Sequence, residues 1–324
     1  MTINGVTIES GKTYDFQGYN HSAGGTVDGL TDVTIKNLWT LEKPIIFTNA
    51  HGVRLVGGAS RDCDHWMIAI SGGDRFTPGN NSIEDWEFSD CRDIVTTQLS
   101  GWGNSYKRCR VANVKGRAFQ VAGCNSGVIS CEVHHACAGW DDIGALYFGN
   151  ADGNQYGNYA IGNHIYDIQG LLGASFTNGI YCDAHASEMK IEYNRLERIR
   201  TNGIAFSGGR DNLVRRNYID DCKNGVQIDD RNGDSWPSWA KAIQLATYQT
   251  LWPRQWAMTA QDALVNGTEC YVGDYAAWPI GNQLIENYFT RCNPLYIRTG
   301  SGVKASGSYK RDRQNVTFVG NVIR

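Results

Sequence analysis

The chain is predicted to be a single right-handed parallel β-helix, an all-β solenoid of about ten coils, and three observations predict it. An apolar–x–x–Asn–x–apolar pattern recurs along the 324 residues. A second segment, with inward–outward alternation, follows each copy. Glycine is abundant (38), proline scarce (6) and charge low (19%). That composition suits many short strands joined by tight turns, because glycine takes backbone angles other residues resist.

The asparagine repeat is clearest at Ile161-Gly-Asn163-His-Ile165, Ile191-Glu-Tyr-Asn194-Arg-Leu196, Val214-Arg-Arg-Asn217-Tyr-Ile219, Ile285-Glu-Asn287-Tyr-Phe289 and Val319-Gly-Asn321-Val-Ile323. Looser copies precede it, from Val33 to Leu38, Val53 to Leu55, Ile83 to Glu87, Tyr106 to Arg110 and Ile129 to Val133. Most spacings are about 20–31 residues, one solenoid coil. An asparagine at one place in each coil is expected at a turn, stacked on its neighbours and bonding backbone that no ladder partner reaches.

The second repeat aligns Asp93–Thr97, Ala118–Ala122, Ala145–Gly149, Gly179–Asp183, Gly203–Ser207, Gly225–Asp229 and Pro294–Arg298. Strand side chains alternate faces. One inward column is therefore Ile94, Phe119, Leu146, Ile180, Ile204, Val226 and Leu295, and another is Thr96, Val121, Phe148, Cys182, Phe206, Ile228 and Ile297. Outward columns are Val95, Gln120, Tyr147, Tyr181, Ala205, Gln227, Tyr296 and Thr97, Ala122, Gly149, Asp183, Ser207, Asp229, Arg298. An outward face of tyrosine, glutamine and acids reads as a groove for an extended ligand. The plain alternative is a solvated sheet face, where such residues are ordinary.

Asp183 and Asp229 share a column, with the Ser207 rung between them. Strands about 4.8 Å apart put their backbones about 9–10 Å apart. Carboxyl groups at such a separation leave room for a sugar ring and an attacking water, and a tilt toward each other would shorten it toward the retaining distance. One would protonate the leaving oxygen while the other serves as base or nucleophile. Around them stand candidate substrate-binding residues: Tyr147, Tyr181, His185, Ser207, Arg210, Gln227, Asp230, Arg231, Tyr296, Arg298 and Trp236. Arg210 and Arg231 suit a substrate carboxylate or sulfate, or equally a corner ion pair with a neighbouring aspartate. His134-His135 and Trp140-Asp141-Asp142 lead toward the groove's edge.

One long gap, about 231–280, interrupts the repeat directly after Asp229 and holds half of the ten tryptophans. Helical apolar spacing at 240–251 and 255–264 predicts a helical flap on the binding face. The domain reading is thus one β-helix over 1–324 with an inserted flap.

Composition narrows the function. A net charge of -3 and pI near 6.2 leave no basic footprint for nucleic acid. No apolar run approaches the roughly 18 residues that span a membrane. The start, Met1-Thr-Ile-Asn-Gly5, has neither a basic nor an apolar signal region, which leaves extracellular or virion-associated action and oligomerisation open. Ten cysteines match no zinc spacing, and buried thiols are favoured over a disulfide framework. No metal-ligand set is apparent, so no cofactor is expected for hydrolysis.

At Tyr181-Cys-Asp183-Ala-His-Ala-Ser187, Gly208-Gly-Arg-Asp-Asn212 and Val226-Gln-Ile-Asp229-Asp-Arg231 the sequence resembles β-helix carbohydrate-active enzymes of the glycoside hydrolase family 141 type. Gly144-Ala-Leu-Tyr147 and Gly162-Asn-His-Ile-Tyr-Asp167-Ile extend the resemblance, which covers about 140–323. It implies the solenoid fold, a polysaccharide or oligosaccharide substrate, and catalysis by two aspartates, here Asp183 and Asp229. The family's doubled acid after the tyrosine is Asp183-Ala184 in this chain. Glycoside hydrolysis is thus the leading expectation. A lyase or epimerase acting on uronic acids is the alternative, with Arg298, Arg210, His185 and Tyr181 as its groups and Ca²⁺ held by Asp183, Asp229 and Asp230. A non-catalytic, tailspike-like glycan-binding solenoid is the third.

Overall fold

A parallel ladder survives only if the chain returns to the same register after every coil, and here the corners impose it. In the computed structural model, which describes residues 2–149, 155–183, 186–229, 281–298 and 316–324, the residue before each repeated asparagine takes positive φ. These are Gly162, Tyr193, Arg216, Glu286 and Gly320, and Asp85, Arg108 and Ser130 do the same in earlier coils. The left-handed residue swings the chain onto the next face, and the asparagine behind it repairs the lost backbone bonds. Asn194 accepts from the Asn163 backbone N–H at 3.0 Å and gives its own amide to the Ala160 carbonyl at 2.9 Å and to Asn217 Oδ1 at 2.9 Å. Asn217, Asn287 and Asn321 continue this ladder.

Two further ladders were not apparent in the sequence. Asn81, Asn104, Ser126 and Asn158 cap backbone N–H groups at a second corner. Asn178, Asn202, Asn224 and Asn293 pass amide bonds from coil to coil at the start of the groove strands. Cysteine takes the asparagine position in two earlier coils: Cys131 Sγ receives the Cys109 N–H at 3.3 Å, and the Cys131 N–H goes to Asn163 Oδ1. The nine cysteines among the described residues are free thiols, eight of them buried.

The core is a stack of apolar columns. On the groove face Val27, Phe47, Ile70, Leu99, Val121, Phe148, Cys182, Phe206, Ile228 and Ile297 pair in register, one per coil. Among the described residues the strand pairings are parallel except for the short antiparallel pair Thr2–Ile3 with Val6–Thr7, and Gly73 and Pro78 form an isolated antiparallel bridge; Ile3 and Ile8 belong to the core. The described residues form no helix. The predicted Trp-rich helical flap at 231–280 lies outside them.

One rung needs correcting. The register is Thr97 opposite Phe119 and Leu99 opposite Val121, three residues later than the alignment on Ile94 and Thr96. Thr97 reads as an outward polar residue, yet its hydroxyl is satisfied inside the coil by the Ile68 carbonyl at 2.8 Å. The outward residues of this coil are therefore Gln98 and Ser100 rather than Val95 and Thr97.

Candidate functional site

From Phe119 onward the outward column is as predicted: Gln120, Tyr147, Tyr181, Ala205, Gln227 and Tyr296 pair in sequence. Asp229 pairs with Ser207 and with Arg298, and the Cys182–Phe206 pairing sets Asp183 one rung ahead of Ser207. Asp183 continues the ladder, its N–H bonding the Phe148 carbonyl at 2.8 Å. The two aspartates thus stand two rungs apart, a backbone separation of about 9–10 Å.

This outward face is not open along its length, contrary to the expectation of an exposed column. Tyr181 is 0% exposed, Gln227 3% and Asp229 2%, whereas Tyr296 is 43% exposed. The Tyr181 ring is enclosed edge-on by Tyr147 and Phe176, each with its centroid 5.3 Å away. Its hydroxyl gives its hydrogen to Asp142 Oδ1 at 3.1 Å, so Ser207 Oγ, also at 3.1 Å, donates to it. Asp141 holds Phe176 in place by accepting the Ser175 and Phe176 N–H groups. Burial pushes the Asp141 carboxyl up, but those N–H bonds outweigh it and keep it below the usual range.

Tyr147 donates to Asp183 Oδ2 at 2.6 Å. Burial first, and then the charge of Asp183, push its phenol far up, with Arg117 opposing only in part. Tyr147 therefore keeps its proton and fixes one carboxylate oxygen. Its ring leans across Gly149, where a Cβ would fall 2.6 Å from Tyr147 Cε1. A guanidinium covers the ring: Arg117 Cζ stands 3.5 Å from its centroid, and Arg117 Nη1 donates to Gln120 Oε1 at 2.7 Å.

Of the predicted site residues, the structure thus brings together two hydrogen-bonded pairs, Tyr147 with Asp183 and Tyr181 with Ser207, joined by the edge-on contact of the two rings, with Gln227 and Asp229 on the following rungs. The Gln227 Nε2 is buried and has no hydrogen-bond partner among the described residues. Arg210 lies at a corner, 4% exposed, and its Nε bonds Asp211 at 2.7 Å. His185, Asp230, Arg231 and Trp236 lie outside the described residues. His134 and His135 belong to another face, where His134 stacks on Tyr166. Among the described residues no group of three His, Cys, Asp or Glu is placed to hold a metal ion. The expected Ca²⁺ set includes Asp230, which lies outside the described residues. A cavity of about 450 Å³ beside Arg198, Arg200 and Lys223 lies elsewhere, with no groove residue in its lining.

Arg117 and Phe176 were missed, and Gly149, placed on the outward column, was given no part in seating Tyr147. By alternation Arg117 has the inward parity of Phe119, but it is the strand's first residue, still leaving the corner, and its guanidinium emerges over Tyr147. The signal available was an arginine three residues before Gln120.

Residues 94–237 match the family model described as a right-handed β-helix region, in keeping with the predicted hand. No curated protein matches the sequence. Among solved structures, the chain is similar to a periplasmic alginate epimerase, AlgG (11% identity, 94% of this chain and 76% of that one, TM-score 0.38). It is also similar to the Dettilon tailspike protein (11%, 88% and 61%, 0.41). A third is the catalytic domain of a GH87 α-1,3-glucanase (9%, 91% and 50%, 0.36). The chain thus spans about half of the glucanase domain and under two thirds of the tailspike.

Proposed function

We propose that the chain is a carbohydrate-active enzyme that cleaves a polysaccharide or oligosaccharide by glycoside hydrolysis, with Asp183 and Asp229 as the acid–base pair. The observation that carries this is the shared column: two carboxylates two rungs apart, one of them fixed by a tyrosine. Asp183 accepts the Tyr147 hydroxyl and so takes the role of base or nucleophile. The proton donor is then Asp229. The resemblance to glycoside hydrolase family 141 supports the same pair, and the gap of about 9–10 Å between their backbones favours inversion.

Action on uronic acids by a lyase or epimerase is the second reading, and Arg117 favours it, because removal of a proton beside a carboxylate needs that carboxylate neutralised. Against it, Tyr181, its candidate base among the groove tyrosines, is fully buried and gives its hydrogen to Asp142.

The test is product release from a panel of plant, algal and microbial polysaccharides. New reducing ends without ultraviolet absorbance support hydrolysis. Unsaturated, absorbing ends would replace it with a lyase. Binding without any product would leave a glycan-binding solenoid.

A further inference from the structure

Arg117 differs from most arginines on this solenoid, which stand in ion pairs across the coils: Arg110 with Glu132, Arg198 with Asp167, Arg215 with Glu192, Arg291 with Asp220. Among the described residues no carboxylate lies within ion-pair distance of Arg117, and Gln120 is its one hydrogen-bond acceptor. A guanidinium carries five N–H donors. Here one is used, and Nε is buried with no partner among the described residues. The group is nevertheless held from two sides, its Cζ over the Tyr147 ring 3.5 Å from the centroid and its Nη1 tied to Gln120. Through that ring it neighbours the site, because the Tyr147 hydroxyl is the one that binds Asp183.

We infer that Arg117 is a specificity-determining residue that recognises an acidic group, a carboxylate or a sulfate, on the sugar bound beside Asp183 on its N-terminal side. The inference rests on the glycan-cleaving reading of the groove. A planar fork locked by stacking matches the planar pair of oxygens such a group presents. The acids of the site, Asp142 and Asp183, are bonded at the hydroxyl ends of Tyr181 and Tyr147. The anion would instead meet the guanidinium on the flank that also carries the Gln120 and Gln98 side chains. On that flank Gln120 Oε1 is already engaged by Arg117, and Gln98 Nε2 donates to Ser100 Oγ at 2.8 Å. An arginine that merely neutralised Asp183 would be indifferent to the charge of the polymer, which separates the two roles experimentally.

The experiment measures binding of polyuronates and sulfated galactans, each beside its carboxyl-reduced or desulfated counterpart, to wild type, Arg117→Met and Arg117→Lys. Melting curves confirm that the variants are folded. The expected result is that wild type prefers one acidic polymer to its neutralised form by at least tenfold. Arg117→Met should erase that preference and Arg117→Lys keep part of it, with the preference shrinking as salt rises. Loss on carboxyl reduction identifies a uronate, and loss on desulfation a sulfate ester. Equal weakening of acidic and neutral polymers by Arg117→Met would overturn the inference, as would a wild type that binds no acidic polymer. Cleavage of a neutral polymer would in that case leave the proposed function standing, whereas no binding or cleavage of any polymer would remove both.

Discussion

Gly149→Ala isolates the contact that holds Asp183. The added Cβ would sit 2.6 Å from Tyr147 Cε1, 3.0 Å from Cζ and 3.1 Å from the hydroxyl oxygen, so the ring must swing away. Arg117 covers the ring 3.5 Å from its centroid, and any swing gives up both that stacking and the 2.6 Å bond to Asp183. A hydrogen bond to a charged group is worth roughly 1.5–3 kcal/mol, nearer the low end here because Asp183 is half-buried. The cation–π contact adds about 0.5–1 kcal/mol. Against this, Ala in place of Gly gains about 0.4–1 kcal/mol by restricting the unfolded chain. The net expectation is a loss of about 1–2 kcal/mol, read by urea denaturation of the full chain. With Tyr147→Ala already in place the clash is gone, and the same substitution should be neutral or slightly stabilising. The reasoning is refuted if Gly149→Ala costs as much beside Tyr147→Ala as it does alone, or if it stabilises the wild-type chain.

Three further outcomes follow from the scaffold. Asn194→Ala should cost about 3 kcal/mol, because it strands the Asn163 N–H and the Ala160 carbonyl in the core, while Asn321→Ala at the partly exposed end of the ladder should cost about 1; denaturation of the two variants compares them. Acid should destabilise the fold through Glu84 and Glu197. Burial pushes Glu84 up, but Ser82 and Arg54 overcome it, and Arg195 foremost lowers Glu197, so that both sit at about 2. A carboxyl lowered on folding contributes stability above its unfolded value and loses it as pH falls toward the folded one. Melting temperature should therefore fall between about pH 4.5 and 2, and Glu84→Gln should flatten that slope. Finally, burial raises the thiols of Cys137, Cys182 and Cys222, so an aromatic disulfide reagent should leave them unmodified until denaturant is added; rapid labelling of all three in the native protein would contradict the buried-thiol assignment.

Much of this architecture was legible because two independent repeats had to agree. The five asparagines fixed one corner, and the columns through Phe119, Leu146 and Ile180 fixed which residues turn outward, so Asp183, Ser207 and Asp229 could be placed on one line. The Thr97 rung was misread because a threonine whose hydroxyl bonds a backbone carbonyl looks polar in sequence and behaves as core. Arg117 escaped because alternation does not hold at the first residue of a strand. The enclosure of Tyr181 was hidden for another reason: Phe176 and Asp142 reach it from neighbouring segments, and strand periodicity carries no information about such contacts. The cysteines at the asparagine corner were read as small core residues from their place in the strands, without their capping role.

The central claim is that chemistry occurs on the column shared by Asp183 and Asp229. Its most direct test compares sugar release by wild type, Asp183→Asn and Asp229→Asn on the polysaccharide that wild type degrades, with binding of the same polymer measured alongside. The account predicts that release falls by at least a thousandfold in each folded variant while binding changes little. Release that persists in Asp183→Asn would contradict it and move the reaction off this column.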